Sequence, residues 1–313
     1  MPLSRRREIY ALCQKYDIII IEDEPYWHLQ FPSAEELEAQ SRGIQVSTDS
    51  QPSTPHRNSS GFEFLDSLVP SYLSIDTDGR VVRLDTFSKI VAPGCRLGWI
   101  TAQPKVVERI LRITETSTQF PSGFAQAMIA QLLVGKQGEK KGKANEASPW
   151  KVDGWVRWLE GLRGGYERRM QSMCAVLEEC KFVTVPESTS QGDMDGWEVV
   201  DKVQMFDFHF PRAGMFVWIR VLLETHPLWS EIAPNELATA LWKHLMKKPY
   251  LCLTAPGNMF ACSDEVKRTA WQYLRVSFAP MDAPDVEKVS RSLVEGFRSF
   301  WETKDVGDID TDL

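Results

Sequence analysis

Val81-Val82-Arg83-Leu84-Asp85-Thr86-Phe87-Ser88-Lys89-Ile90-Val91-Ala92-Pro93-Gly94-Cys95-Arg96-Leu97-Gly98-Trp99 carries two strand signals around one turn. The run Val81 to Thr86 follows the turn formers Asp76-Thr77-Asp78-Gly79 and predicts a strand that ends in Phe87-Ser88-Lys89. Pro93-Gly94 breaks the chain, and Leu97-Gly98-Trp99-Ile100-Thr101 predicts the next strand. Upstream, Ile9, Leu12 and Cys13 fall at helical spacing between Ser4 and Tyr16. Asp17 then leads into Ile18-Ile19-Ile20-Ile21, an expected buried strand whose C-terminal edge carries Glu22-Asp23-Glu24 before Pro25. Strands separated by helices and loops imply an α/β layer.

Working outward, residues 33–61 are rich in Ser, Pro, Gln, Asn and Gly, which predicts a mobile insertion without fixed structure. A helical stretch is expected from about Lys105 to Val134, broken near Pro121, followed by a polar connector from Gly135 to Pro149. The C-terminal half predicts an α+β region. Its elements are a helix near Gly165 to Glu179, a strand Lys181–Val185, a polar loop around 187–197 and a strand Gly214–Ile219. A helix Asn235–Lys247, strands Tyr250–Thr254 and Tyr273–Phe278, and a closing helix Pro284–Glu302 complete it. The expected division is therefore 1–150, then 151–303, then a frayed acidic tail over 304–313.

Composition narrows the function. With 313 residues, 43% hydrophobic and a net charge of −7, the chain can bury a sizeable core and lacks the basic excess of a general nucleic-acid binder. The longest aliphatic run is Ile18–Ile21, far short of the roughly 18 apolar residues of a membrane span, and no apolar segment follows the arginines at 5 to 7. The expectation is a cytoplasmic protein with no membrane and no nucleic-acid partner. Six cysteines without a C-x-x-C pair, and five histidines without ligand spacing, predict neither a zinc site nor a disulfide framework. The eleven tryptophans are expected to fill cores and interfaces.

Four points stand at strand ends, where open α/β sheets bind ligands: Asp23 with Tyr26, Lys89, and Arg96. Singly, each has a plain structural explanation, a solvated lysine or a turn-forming aspartate. Jointly they suit one chemistry. A partly desolvated lysine forms an imine with an aldehyde, a carboxylate keeps a pyridine nitrogen protonated, and a guanidinium grips a phosphate.

Asp23-Glu24-Pro25-Tyr26 and the stretch from Thr86 to Trp99 closely resemble the signature of class I/II aminotransferases, fold-type I enzymes that use pyridoxal 5′-phosphate. Residues 5–17, Pro121-Ser122-Gly123 and Pro211–Trp218 look most like the aromatic, 2-aminoadipate and kynurenine aminotransferase branch, and Tyr273-Leu274-Arg275-Val276-Ser277-Phe278 matches the family's substrate-binding strand. The resemblance covers most of residues 1–300. It implies an α/β large domain, present in part as a truncated mixed sheet with helices, and a C-terminal α+β small domain. By the same resemblance Lys89 is the catalytic lysine that binds the cofactor, Asp23 the partner of its ring nitrogen and Tyr26 the partner of its 3′-oxygen. Thr86, Ser88 and Arg96 match phosphate ligands, the family often having Ser where Thr86 stands. Arg275 matches the holder of the substrate α-carboxylate, and Pro256-Gly257-Asn258-Met259-Phe260 a loop of structural role.

The implied reaction is transamination between an aromatic or 2-aminoadipate-like amino acid and a 2-oxo acid, in a homodimer, with no metal. The family pattern also includes an Asn-Pro-x-Gly turn, a phosphate-binding helix N-terminus and an aromatic residue that stacks on the cofactor. These precede the position of Arg5 and have no counterpart in the 313 residues. The expectation is a chain with open strand edges and impaired transaminase activity. A non-catalytic remnant that binds a partner through such an edge is the alternative. A transcription regulator would need a basic helix-turn-helix region, which the sequence does not contain.

Overall fold

A computed structural model describes residues 1–45, 59–134, 152–186 and 200–309. The chain forms two compact units, Met1–Gln30 with Ser47–Gly164, and Phe31–Val46 with Gly165–Leu313.

The first unit opens with α1 (Leu3–Lys15) and β1 (Ile20–Asp23). The next helix in the chain, α2 (Ala34–Ser41), belongs to the second unit. The first unit continues with the short α3 (Glu63–Asp66), β2 (Val81–Thr86), β3 (Gly98–Thr101), α4 (Pro104–Thr116) and α5 (Gly123–Val134). Its sheet has the order β1-β2-β3, with β1 parallel to β2 and β2 antiparallel to β3. The turn before β2 is tied by Asp76, which accepts from the backbone N–H groups of Gly79 and Val81 and from the Tyr10 hydroxyl.

β1 is not the buried isoleucine strand expected. It begins at Ile20, and Ile18, Ile19 and Ile21 are exposed, Ile21 at 69%, whereas Glu22 is only 5% exposed. The reason is the strand's period of two. Ile20 and Glu22 point toward α1 and the turn around Ser71, while Ile21 and Asp23 lie on a face that no described residue covers. Glu22 is fully partnered there: it pairs with Arg6 at 2.6 Å and accepts from the Ser71 hydroxyl and the Tyr72 N–H. Arg6 also reaches Glu24 at 3.1 Å and lies over the Tyr72 ring. A separate apolar cluster of Phe64, Phe87, Ile90, Ile129, Val156 and Leu159 seats the turn that follows β2.

The second unit receives the remainder of α6 (Asp153–Glu179), the division falling at Gly164–Gly165. This differs from the expected boundary near 150, because Val156 and Leu159 of α6 pack with Phe87 and Ile90 of the first unit. Then come β4 (Phe182–Pro186), β5 (Val200–Gln204), β6 (Phe206–Phe208), β7 (Phe216–Val221), α7 (Pro234–Met246), β8 (Ala255–Pro256), α8 (Asp264–Ala270), β9 (Tyr273–Ser277) and α9 (Ala283–Trp301). β4 and β5 pair with each other, and an antiparallel sheet has the order β6-β7-β9-β8. Val217, Ile219 and Val221 of β7 face the core, as do Leu274 and Val276 of β9. α9 buries Val286, Leu293, Val294, Phe297, Phe300 and Trp301, the stripe expected of a helix lying on a sheet.

Three further expectations are corrected. The first part of the 33–61 stretch is not structureless. α2 buries Ala34 in the core, Ser33 hydrogen-bonds Glu167, and Arg42 joins Glu38, Glu178 and the Phe208 carbonyl; these partners outweigh the polar composition. Residues 46–58, like the 187–197 loop and the whole 135–149 connector, lie outside the described residues. Tyr250–Thr254 is not a strand: Leu251 takes a left-handed φ of 53°, Leu251 and Leu253 are exposed, and only Ala255–Pro256 pairs with β9. The tail is seated as far as Ile309, which joins the core, and the turn before it is held by the Asp305 side chain. No helix among the described residues is long and apolar enough to cross a membrane.

The inverted burial of β1 yields a measurable contrast. Glu22→Ala leaves the buried Arg6 charge short of a partner and is expected to cost about 3–5 kcal/mol in urea unfolding. Ile21→Thr, on the next residue, is expected to stay within about 0.5 kcal/mol of the parent. The opposite ranking would show that Ile21 is the buried member.

Candidate active site

Parallel pairing decides which residues meet. The register Ile20↔Val81 through Asp23↔Leu84 brings the C-terminal ends of β1 and β2 to one edge of the sheet, the place where open α/β sheets hold ligands. Beyond β1 the chain continues through Asp23-Glu24-Pro25-Tyr26, and beyond β2 through Thr86-Phe87-Ser88-Lys89. The Lys89 ammonium consequently lies 5.9 Å from the centre of the Tyr26 ring.

Thr86 builds the turn that carries the lysine. Its hydroxyl oxygen accepts from the Ser88 N–H at 3.1 Å, and its one hydroxyl proton has Ser88 Oγ at 2.9 Å and the Leu97 carbonyl at 3.2 Å as acceptors. Phe87 and Ile90, on either side, are buried in the apolar cluster, and the Trp158 indole N–H donates to the Ile90 carbonyl at 2.7 Å. The lysine is thereby half-buried between two anchored neighbours. Arg96 follows the turn Pro93–Cys95 in the left-handed region, at φ 46° and ψ 38°. A non-glycine residue held there stores about 1–2 kcal/mol of strain, an outlier of the kind that gathers at ligand sites. Its exposed guanidinium reaches no further than the Pro93 carbonyl, at 3.5 Å.

Of the residues singled out by sequence, Tyr26, Thr86, Ser88 and Lys89 are half-buried and adjoining. Asp23 and Arg96 are exposed in the same unit. Arg275 stands on β9 of the second unit, opposite Trp218 of β7 and Ala255 of β8. Its guanidinium carbon lies 4.1 Å from the centre of the Phe216 ring and 4.3 Å from that of Phe260.

Sequence reasoning missed the charged layer beneath the lysine turn. Arg83, 6% exposed, forms a two-pronged pair with Asp85, both contacts at 2.8 Å, and its guanidinium lies 4.7 Å above Trp27. Trp27 meets His28 edge-on at 4.9 Å. Burial, reinforced by the Arg83 charge and opposed by Asp85, pushes the His28 imidazole down to about 4, so it is neutral near pH 7. A signal did exist: Arg83 and Asp85 are two apart on one face of an otherwise apolar strand. Gly98 was overlooked in the same way. A Cβ there would come within 2.6 Å of the Asp85 carbonyl, so the close approach of β3 to β2 at the lysine turn admits only glycine.

Residues 1–293 match the family model for aminotransferase class I and II. The chain belongs to the class I and II aminotransferases. Among curated aminotransferases, it is 36% identical over 236 residues to the L-tyrosine:2-oxoglutarate aminotransferase atrD of Tapinella panuoides, an alignment covering 75% of this chain and 36% of that protein. It is 32% identical over 290 residues to the aromatic amino acid aminotransferase C1773.13 of Schizosaccharomyces pombe, covering 92% and 49%. The crystal structure of aminotransferase Aro8 from Candida albicans superposes with a TM-score of 0.69 at 30% identity, covering 97% of this chain and 55% of that one. The fold is thus the mixed α/β fold of fold-type I aminotransferases. The chain spans about a third to a half of the length of the curated relatives it matches.

Two outcomes follow for this aminotransferase chain. Gly98→Ala is expected to lower stability by about 1–3 kcal/mol in thermal or urea unfolding, because the obstacle is backbone. Unchanged stability would show that β3 is free to shift. The folded state holds His28 below its ordinary value of 6.5, so its contribution is present above pH 6.5 and is lost as pH falls toward 4. His28→Gln is expected to flatten that acid limb by on the order of 2–3 kcal/mol. A histidine resonance titrating at its ordinary value would contradict it.

Proposed function

We propose that this chain provides the lysine-bearing part of a pyridoxal-phosphate-dependent aminotransferase that exchanges the amino group of an aromatic or 2-aminoadipate-like amino acid with a 2-oxo acid. The observation that carries it is the half-buried Lys89 beside Tyr26, on the turn built by the Thr86 and Ser88 hydroxyls. The donor set suits the cofactor: two hydroxyls and a guanidinium for a phosphate, an amine for an aldehyde, a carboxylate for a protonated ring nitrogen and a phenol for a ring oxygen. When bound, pyridoxal phosphate supplies an electron-accepting ring that acidifies the α-C–H bond of the amino acid.

Within that scheme, Thr86, Ser88 and the strained Arg96 hold the phosphate. Asp23 accepts from the ring N–H and keeps that proton in place, and Tyr26 donates to the 3′-oxygen. Lys89 Nζ would bind the cofactor at rest and, with substrate present, would carry the proton from the substrate α-carbon to the cofactor's C4′. Arg275 holds the α-carboxylate, since its planar fork offers two parallel N–H donors. The printed names of the relatives, tyrosine and aromatic aminotransferases, support the aromatic choice. The exposed apolar faces of α4 (Val107, Leu111, Ile113) and α5 (Phe124, Met128, Leu132) support a homodimer, and the soluble amino-acid and 2-oxo-acid partners fit a cytoplasmic setting. The open face of β1, with Ile19 and Ile21 exposed, favours the alternative of a non-catalytic, partner-binding member.

Borohydride reduction of the chain incubated with pyridoxal phosphate, followed by peptide mapping, separates the two. The expected outcome is a pyridoxyl label concentrated on Lys89 and lost in Lys89→Ala. Label spread evenly over surface lysines would favour the non-catalytic alternative. Arg275→Lys is expected to weaken amino-acid binding about tenfold or more while the Lys89 label persists.

A further inference from the structure

The outer face of the second unit's sheet is aromatic where its inner face is aliphatic. Along β7, Val217, Ile219 and Val221 are buried, so Phe216 and Trp218 stand on the opposite face. On β9 the same face carries Tyr273 and Arg275, with Arg275 directly across from Trp218. The guanidinium carbon of Arg275 lies over two rings, 4.1 Å from the centre of Phe216 and 4.3 Å from that of Phe260. A guanidinium is flat and its N–H groups lie in its plane. Two rings packed this close to its central carbon favour its N–H edge as the direction in which it meets an oxygen pair. Among the described residues, no carboxylate lies within ion-pairing distance of it. The two rings also attract the cationic group electrostatically.

Phe260 is not held by Arg275 alone. It ends the turn Gly257–Phe260, which is seated so tightly that a Cβ on Gly257 would come within 2.2 Å of the Ala270 carbonyl. Trp218 meets its ring edge-on at 5.6 Å and itself stacks on Tyr273 at 5.6 Å. A ring that is 43% exposed is thus braced from two sides. We propose that Phe260, together with Phe216, is a positioning residue that clamps the Arg275 guanidinium edge-on for an incoming carboxylate. The proposal rests on the assignment of Arg275 as carboxylate holder and extends it, because the loop carrying Phe260 was expected to be structural only.

The test uses the chain itself with isotopically labelled arginine. The Arg275 Nε–H resonance, identified by its disappearance in Arg275→Lys, is expected to be displaced by the two rings from the positions of exposed arginines. Phe260→Leu is expected to return it toward them and to weaken binding of 3-phenylpropionate by about threefold to thirtyfold. Phe260→Tyr is expected to keep both, and the pyridoxyl label on Lys89 and the melting midpoint are expected to be the same in all three. A parent resonance already among the exposed arginines would overturn the clamp without recourse to any variant. So would a Phe260→Leu chain that binds the carboxylate as the parent does while Arg275→Lys does not; in that case Arg275 keeps its assigned role. If Arg275→Lys binds 3-phenylpropionate as well as the parent, or the parent does not bind it at all, the assignment of Arg275 itself fails and the proposal with it.

Discussion

The parallel pairing of β1 with β2 is the constraint on which the candidate site depends. Two strands running the same way must release their chains at the same edge, and that edge is where Asp23-Glu24-Pro25-Tyr26 and Thr86-Phe87-Ser88-Lys89 emerge. An antiparallel pair would have sent them to opposite ends. Pairing Asp23 with Leu84 sets the register, and a slip by one residue would turn each side chain of β1 to the other face. The register is held by charge as well as by backbone hydrogen bonds. Glu22 is buried only because Arg6, Ser71 and the Tyr72 N–H surround it, and no neighbouring residue of the strand could take its place.

Polar groups under the site follow the same logic. Arg83 and Asp85 sit on the strand that delivers Lys89, each satisfying the other in two-pronged geometry, with Trp27 over the guanidinium. Trp27 in turn donates to the Val69 carbonyl and faces His28, so the segment after β1 is braced against the strand beside it. Burying charge in this way contributes little net stability when the pair is intact, and a great deal is lost when one partner is removed. Such pairs fix geometry more than they add stability. They help set where Tyr26 and Lys89 stand.

The second unit solves a different problem with the same period-two rule. Its four-stranded sheet packs aliphatic side chains against α7 and α9 and turns the alternate residues outward. Since those alternate residues are Phe216, Trp218, Tyr273 and Arg275, burial of one face automatically assembles the aromatic surround of the arginine on the other. The core and the aromatic face around Arg275 are two sides of one hydrogen-bonded register.

Much of this was legible beforehand. The helix Leu3–Lys15, the strand before Lys89, the helix break near Pro121 and the closing helix each follow from local periodicity, turn residues or proline, which act over a few residues. The motif around Lys89 named the family, because spacing within one turn is a property of sequence. What sequence could not decide was which side of a strand is inside. Ile21 is apolar and exposed, while Glu22 is charged and buried, since burial depends on what packs across the sheet, and Arg6, Ser71 and Tyr72 arrive from distant positions. For the same reason Ala34 proved to be core within a polar stretch, and Phe260, in its turn, a neighbour of Arg275. Local pattern determined the elements and the chemistry they can carry; only tertiary pairing decided which faces close and which side chains meet, because those contacts join residues that the chain itself keeps apart.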